Sequence, residues 1–153
     1  MIVIFGSMNV DLLIPVDRLP NPGETVMGPS YSFAAGGKGA NQALAAARAG
    51  AHVRMAGRVG TDDLSVIALN DLQLGGVDLS LVAKDEKPTG LAAICIDKKG
   101  ENIIVVASGA NVDTRADQVP DSVLNKDTLI CLQMETPLAE NWERVKSMPI
   151  RAR

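Results

Sequence analysis

The sequence predicts an α/β fold, in which helices flank part of a parallel sheet and a small antiparallel sheet stands beside it. Short, continuously apolar runs such as residues 2–6 are typical of buried parallel strands. Between residues 43 and 75, helix-like and strand-like segments alternate, as they do in doubly wound folds. Before the first helix, several short extended segments follow one another without a helix between them, which favours antiparallel pairing.

The composition argues against several classes of protein. The chain has 153 residues, a length that suits one domain, with 46% hydrophobic and 22% charged residues. A net charge of −3 without a basic block argues against nucleic-acid binding. No apolar run is long enough to span a membrane, and the N-terminus is typical of a strand rather than of a signal peptide. Cys95 and Cys131 lie within apolar runs, which predicts two buried free thiols and a cytoplasmic protein.

A glycine-rich loop at residues 36–39 precedes the strongest helix-forming run of the sequence, residues 43–49. Gly50 is expected to end this helix in the left-handed conformation. The first N–H groups of a helix lack partners within the helix, and the helix dipole is positive there. A polar ligand can therefore approach this backbone closely, beside the cation of Lys38 and the amide of Asn41.

Two common nucleotide-binding motifs do not fit this loop. A Walker A motif requires Ser or Thr after the Gly-Lys pair, but position 39 is Gly. A Rossmann fingerprint would require Gly where the sequence has Gln42. The alternative is a tight turn, in which the glycines only allow the alanine-rich helix to pack closely on a sheet.

Polar side chains follow two of the predicted strands. Asn9 and Asp11 come just after residues 2–6, on one side of a predicted turn, and Glu135 comes just after residues 128–132. If the two strands are neighbours, these residues lie at the edge where open α/β sheets bind ligands. Each also has an ordinary explanation, as an Asx turn or as a solvated turn residue. Together, carboxylates and amides suit a polyhydroxylated sugar, because each hydroxyl both donates and accepts hydrogen bonds.

The remaining predicted elements follow the same two patterns. They are an edge-type strand at 12–16 interrupted by Pro15, extended segments at 24–27 and 31–34, a strand at 52–59, a helix from about 64 to 75, a hairpin of 91–96 and 102–106, a polar helix near 114–125, and a strand at 128–132. The hairpin turn at 97–100 suits a left-handed Gly100. Thr136 is predicted to cap the last helix, with Pro137 in its first position. No further strand is predicted from residue 141 to residue 153.

Three stretches resemble the ribokinase family of carbohydrate kinases in the family's order and spacing. They are Gly6-Ser7-Met8-Asn9-Val10-Asp11, Leu19-Pro20-Asn21-Pro22-Gly23-Glu24-Thr25-Val26 and Gly36-Gly37-Lys38-Gly39-Ala40-Asn41-Gln42-Ala43. The resemblance extends from residue 2 to about residue 140. It implies that residues 1–153 form the N-terminal half of a doubly wound, ribokinase-like domain, with lid segments inserted at about 12–34 and 89–107.

The same resemblance implies a set of sugar-binding residues. The expected contacts to the sugar, with ribose as the first candidate, come from Asn9, Asp11, Gly37, Lys38, Gly39, Asn41 and Glu135. In this set the loop N–H groups donate, the carboxylates accept, and the amides do either. Ala92 and Ile94 are implied as an apolar wall over the sugar ring, although ordinary lid packing needs the same residue types.

The resemblance also implies an activity that this chain shares with a second half. In the family, ATP, Mg²⁺ and a monovalent cation (K⁺) serve the transfer of the γ-phosphoryl group to the 5-hydroxyl of ribose. The catalytic aspartate and the nucleotide site belong to segments without a counterpart in this sequence, so no catalytic residue is assigned and the chain alone is expected to be inactive. A homodimer through the lid, or association through an open sheet edge, is expected. The alternatives are a non-catalytic sugar-binding or oligomerisation module, and half of a kinase for another sugar or a nucleoside.

Overall fold

The computed structural model describes residues 1–148 as two four-stranded sheets with three α-helices. The strands are β1 (Ile2–Phe5), β2 (Asn9–Pro15), β3 (Ser32–Gly36), β4 (Val53–Gly60), β5 (Asp78–Asp85), β6 (Gly90–Ile96), β7 (Asn102–Ala107) and β8 (Leu129–Leu132). The helices are α1 (Lys38–Arg48), α2 (Leu64–Leu74) and α3 (Leu138–Lys146). Three short 3₁₀ turns, Gly109–Asp113, Ala116–Gln118 and Asp121–Val123, lie between β7 and β8.

The first sheet is wholly parallel, in the strand order β5-β4-β1-β8. Alternation along β1 directs Ile4 into one buried cluster, with residues of α1 and α2, and directs Val3 and Phe5 into a second cluster on the opposite face. The predicted parallel sheet with flanking helices is confirmed. Because β1 and β8 are neighbours in register, their carboxyl ends open on the same edge of the sheet.

The second sheet has the strand order β3-β2-β6-β7. The pairs β2–β3 and β6–β7 are antiparallel, as the sequence predicts for the smaller sheet, but the central pair β2–β6 is parallel. The central pair is parallel because the chain crosses over between β2 and β6 through the α/β segment from α1 to β5. The chain therefore runs through both strands in the same direction. The separate small sheet is therefore confirmed, with two antiparallel hairpin-like pairs joined at its centre.

The strand β2 differs from its prediction in two respects. Asn9 and Asp11 lie within this strand and not in a turn, because the chain passes from β1 into the second sheet after only three residues. The strand is also central in its sheet, whereas an edge strand was expected from Pro15. Pro15 is the last residue of β2, where its missing N–H is tolerated. Residues 24–27 form no strand, so that expectation was wrong, and β5 was not foreseen.

The helix boundaries also required correction. α1 begins at Lys38, inside the glycine-rich loop, and the residue after its C-cap, Gly50, has the expected left-handed φ of 89°. The polar helix expected near 114–125 is replaced by two 3₁₀ turns, interrupted at Pro120. α3 begins at Leu138, and the Thr136 hydroxyl bonds the Asn141 side chain instead of capping the helix. The expectation for residues 141–153 lies partly outside the described residues, since these end at 148.

Two further expectations concern burial and membranes. Cys95 and Cys131 are free thiols, as predicted, but both are partly exposed and not buried. Cys131 lies in β8, the last described strand at one side of the first sheet. The hairpin turn does contain a left-handed Gly100, with a φ of 85°. None of the helices between residues 1 and 148 has the length and hydrophobicity that a membrane crossing requires.

Candidate functional site

The edge where β1 and β8 end opens into a cavity of about 440 Å³. The chain leaves β1 through Gly6–Met8 and enters β2 in the second sheet, so each sheet contributes one wall. The polar lining of the cavity includes Ser7, Asn9, Asn111 and Glu135. The cavity therefore lies where the two sheets meet, at the sheet edge that the sequence singled out.

Glu135 is a firmly anchored carboxylate in this cavity. Its Oε2 accepts a hydrogen bond of 2.6 Å from Ser7 Oγ, and its Oε1 lies 2.9 Å from Lys38 Nζ. Burial alone would raise the pKa of Glu135, but the Ser7 hydrogen bond and the Lys38 interactions together lower it below its ordinary value. Glu135 is therefore ionised at neutral pH and acts as a hydrogen-bond acceptor.

Asp11 behaves differently from Glu135. It lies two residues beyond Asn9 in β2, on the same face of the second sheet. Its carboxylate lies against Gly36 of the neighbouring strand β3, where any side chain would collide with it. Burial raises the pKa of Asp11 above its usual value of 3.8, and the negative charge of Glu135 raises it further. The two carboxylates are thus close enough to interact, and their pKa values shift in opposite directions.

The glycine-rich loop packs α1 tightly against the connection between the two sheets. Gly37 is the N-cap of α1 and has a φ of 92°, in the left-handed region. A Cβ at Gly39 would lie only 2.7 Å from the backbone of Ser7. The Ala40 N–H donates to Ser7 O at 3.0 Å, and the Gly39 N–H donates to Ser7 Oγ at 3.4 Å. The packing role that the sequence left open is therefore present, and two N–H groups of this loop and helix start donate within the chain.

The other predicted site residues lie outside the cavity lining. Asn41 is exposed on the first turn of α1. Ala92 is opposite Asp11 in the strand pairing of β2 and β6, and Ile94 follows on the same sheet face. The contributions of these three residues to binding stay predictions, as do those of the loop glycines, Asn9, Asp11, Lys38 and Glu135.

Ser7 and Asn111 join the walls of the site, and neither was predicted as a site residue. Ser7 bonds Glu135 and the start of α1. Asn111 bonds the backbone of Met8 and, at 2.8 Å, the amide of Asn9. The place of Ser7 just after a predicted strand was an available signal. The contact between Asn111 and Asn9 spans 102 positions, and no local pattern reveals it.

Among the described residues, the candidate site lacks the usual features of a metal site or a phosphate site. Between residues 1 and 148, no group of three or more His, Cys, Asp or Glu side chains is arranged to hold a metal. The N-terminus of α1 is a natural place for a phosphate group, but the Glu135 carboxylate lies beside it and its Gly39 and Ala40 N–H groups donate to Ser7. The expectation that ATP, Mg²⁺ and K⁺ bind elsewhere stays a prediction.

Comparison with known proteins decides the family. A family model described as pfkB family carbohydrate kinase matches residues 1–144. The chain belongs to the pfkB family of carbohydrate kinases. The match includes the glycine-rich loop, both sheets and Glu135, so the whole candidate site lies within the pfkB-family region.

Relatives of this pfkB-family chain share both its sequence and its fold. Ribokinase from Haemophilus influenzae is 39% identical over 142 residues, which are 90% of this chain and 46% of the relative. The structure of ribokinase from Thermotoga maritima has a TM-score of 0.87 and 32% identity, covering 95% of this chain and 48% of its own. The structure of Arabidopsis thaliana ribokinase complexed with ribose and ATP has a TM-score of 0.77 and 30% identity, with coverage of 95% and 49%. The pfkB-family chain therefore spans about half the length of the relatives it matches.

Proposed function

We propose that this chain forms the sugar-binding half of a ribokinase-type kinase, whose reaction is the ATP-dependent phosphorylation of D-ribose at the 5-hydroxyl. One observation above the others supports the proposal. Asn9 and Glu135 line a single cavity at the meeting of two sheets, and Asp11 lies on the same sheet face as Asn9. Because the Arabidopsis relative was solved with ribose and ATP, ribose is the first sugar to test.

The chemistry of these groups suits a neutral polyol. The ionised carboxylates of Asp11 and Glu135 only accept hydrogen bonds, whereas the amide of Asn9 also donates. Lys38 balances one of the two negative charges, so an anionic ligand is disfavoured beside them. The proposed task of these residues is to hold and orient the sugar hydroxyls.

The proposal also covers the organisation of the molecule. The second sheet, with lid segments at about 12–34 and 89–107, is proposed to close over the sugar held at the edge of the first sheet. ATP and its cations are proposed to bind outside residues 1–148, because the family resemblance assigns their sites to segments without a counterpart in this sequence. No step of phosphoryl transfer is assigned to a side chain described here.

The Asp11→Asn substitution is expected to weaken ribose binding by roughly tenfold to a hundredfold. The substitution replaces one carboxylate oxygen, which only accepts hydrogen bonds, with an NH₂ group, which only donates them. A lost charged hydrogen bond costs about 1.5–3 kcal/mol. Titration calorimetry with D-ribose measures the effect. Asp127→Asn is a matched control, because Asp127 is exposed and contributes only backbone atoms to hydrogen bonds. Unchanged affinity in Asp11→Asn would remove Asp11 from the sugar site.

The raised pKa of Asp11 also predicts how folding stability and ribose affinity depend on pH. The folded chain binds the Asp11 proton more tightly than the unfolded chain does, so this group favours folding most below the unfolded pKa and loses that contribution as pH rises through the folded pKa. Asp11→Asn should therefore not lower the melting temperature at pH 7. Ribose affinity of the unsubstituted chain should fall on acidification as Asp11 takes up its proton, and this fall should be smaller in Asp11→Asn, in which Glu135 is the remaining carboxylate.

Self-association is a second expectation, because the second sheet ends in an exposed apolar strand. Ile103, Ile104, Val105 and Val106 of β7 are 44–67% exposed, and no described strand pairs with the outer edge of β7. This edge supports the proposed homodimer and equally the alternative of an oligomerisation module. Light scattering at tens of micromolar, roughly the range of weak interfaces, should report a mass above that of the monomer.

A matched pair of substitutions locates this association. Val105→Lys places a charge on the edge strand and should restore the monomer, whereas Val66→Lys, at a comparably exposed position of α2, should not. If only Leu129→Lys restores the monomer, association runs through the β8 edge instead. A monomer in the unsubstituted chain would contradict both routes.

A further inference from the structure

Asn111 is a buried amide that the sugar-binding proposal leaves without a role. It lies in the 3₁₀ turn Gly109–Asp113, is only 1% exposed, and adjoins Asn9 at the cavity. A Cβ at Gly90 would collide with both amides, so the glycine at this position leaves room for the pair. The fold thus brings two asparagines into contact.

The orientation of the Asn111 amide is fixed by backbone groups. The Met8 N–H donates to Asn111 Oδ1 at 2.9 Å. On its other side, Asn111 Nδ2 donates to Ser108 O at 2.9 Å and lies 3.2 Å from Met8 O. Because a backbone N–H only donates and a carbonyl only accepts, the Asn111 amide cannot be turned around without losing these bonds.

This fixed amide determines the orientation of Asn9 in turn. Asn111 Nδ2 lies 2.8 Å from the side chain of Asn9 and can only donate, so the Asn9 atom that meets it must be the acceptor Oδ1. The Asn9 Nδ2 then points away from Asn111. No residue between 1 and 148 accepts a hydrogen bond from Asn9 Nδ2, and Asn9 lines the cavity. The NH₂ group therefore remains available to a ligand.

We propose that Asn111 is a positioning residue that presents the NH₂ group of Asn9 to the cavity, so that the sugar atom meeting Asn9 must be a hydrogen-bond acceptor. The inference rests on the proposed sugar-binding function and deepens it. A hydroxyl that accepts from Asn9 keeps its own proton, which it can donate to a carboxylate such as Asp11 or Glu135. The site thereby selects a hydroxyl with a defined hydrogen-bond direction.

Hydrogen exchange of side-chain amides in the free 153-residue chain tests the orientation directly, by NMR on ¹⁵N-labelled protein. The NH₂ protons of Asn111 should exchange slowly with solvent, and those of Asn9 should exchange rapidly. The Asn9 signal is assigned because it is lost in Asn9→Asp. In Asn111→Asp, the new carboxylate still accepts from Met8 N–H but offers Asn9 an acceptor. Asn9 should then turn around, and its NH₂ exchange should slow. Asn102→Asp, at an exposed residue of β7, is the control and should change neither signal.

Ribose binding tests the consequence for the ligand. Asn9→Asp keeps the acceptor that faces Asn111 and replaces only the group that faces the cavity, and ribose carries no charge for the new carboxylate to repel. Affinity should fall about tenfold or more, while the Asn111 NH₂ stays slow to exchange. Asn111→Asp should lose affinity to a similar extent and bind 2-deoxy-, 3-deoxy- and 5-deoxyribose with less discrimination than the unsubstituted chain does.

The two readouts separate the possible failures. If the unsubstituted chain does not bind ribose, the proposed function fails, while the exchange pattern of Asn9 and Asn111 still decides the positioning role. If Asn111→Asp does not fold, the unsubstituted chain and Asn9→Asp remain as tests. A slowly exchanging Asn9 NH₂ in the free chain, or full ribose affinity in Asn9→Asp, overturns the inference.

Discussion

A polypeptide of these 153 residues, mixed with ATP and D-ribose, is expected to phosphorylate the sugar no faster than a protein-free blank. Phosphoryl transfer requires a nucleotide held in line, donors around the transferring group and a residue that orients or deprotonates the hydroxyl. The candidate site offers two carboxylates, and the nearby cation of Lys38 is already paired with Glu135. This arrangement suits a neutral sugar and not a triphosphate.

The expected deficit is large. One missing donor to the developing charge costs about 10²–10³ in rate, and a missing general base costs about 10²–10⁴. Loss of the positioned nucleotide removes a further term of roughly 7–11 kcal/mol. These terms need not add in full, but the three together leave little rate above background.

A coupled assay of ATP consumption measures this directly, with full-length Haemophilus influenzae ribokinase as the positive control. The Asp11→Asn chain, purified in the same way, identifies contaminating host kinase, because host activity is indifferent to that substitution. Ribose-dependent turnover near one per second, which is within the usual kinase range, would contradict the proposed division of labour if Asp11→Asn abolished it.

Gly39→Ala is expected to destabilise the folded chain by about 1–3 kcal/mol, the usual cost of overpacking. Helix propensity alone predicts the opposite sign, since Ala is favoured over Gly inside a helix by about 1 kcal/mol. The contact decides the sign here. The added Cβ would lie 2.7 Å from backbone atoms of Gly6 and Ser7, and backbone atoms cannot turn aside as a flexible side chain can. α1 would have to move away from the connection between the sheets.

Urea denaturation of Gly39→Ala measures this cost, and Asn41→Ala is its matched control in the same helix. Asn41 is exposed, so its replacement by Ala should raise stability by a few tenths of a kcal/mol through helix propensity alone. Displacement of α1 should also weaken the Ser7–Glu135 contact and with it ribose binding. An increase in stability for Gly39→Ala would show that this glycine is not needed for close packing.

The parts of the fold that local patterns encode were predicted from the sequence. The apolar run of β1, the alternation of helix and strand after residue 43, and the turn glycines Gly50 and Gly100 each carry their signal within a few residues. The helix expected near 114–125 failed because polar composition does not distinguish a helix from successive 3₁₀ turns around Pro120. β2 was predicted to be an edge strand because it contains Pro15. The sequence alone does not show which strands pair with β2.

The candidate site was predictable only as a set of residue types at strand ends. The placement of Asn9 and Glu135 beside one cavity followed from the rule for parallel sheets, once β1 and β8 proved to be neighbours. The partners of these residues did not follow. The Ser7–Glu135 bond and the Asn111–Asn9 bond join positions more than a hundred residues apart, and only the folded arrangement brings them together.

If the proposed sugar site is correct, the short connection Gly6–Met8 links sugar binding to the angle between the two sheets. Glu135 belongs to the edge of the first sheet, whereas Asn9 and Asp11 belong to the second, so a sugar held by all three must fix the angle between the sheets. By reciprocity, association through β7 that favours the same angle would raise the affinity for the sugar by the factor by which the sugar favours association. Ribose titrations at increasing protein concentration should then show tighter binding in the associated form. Cooperativity would arise in this way without any contact between the sugar and the associating surface.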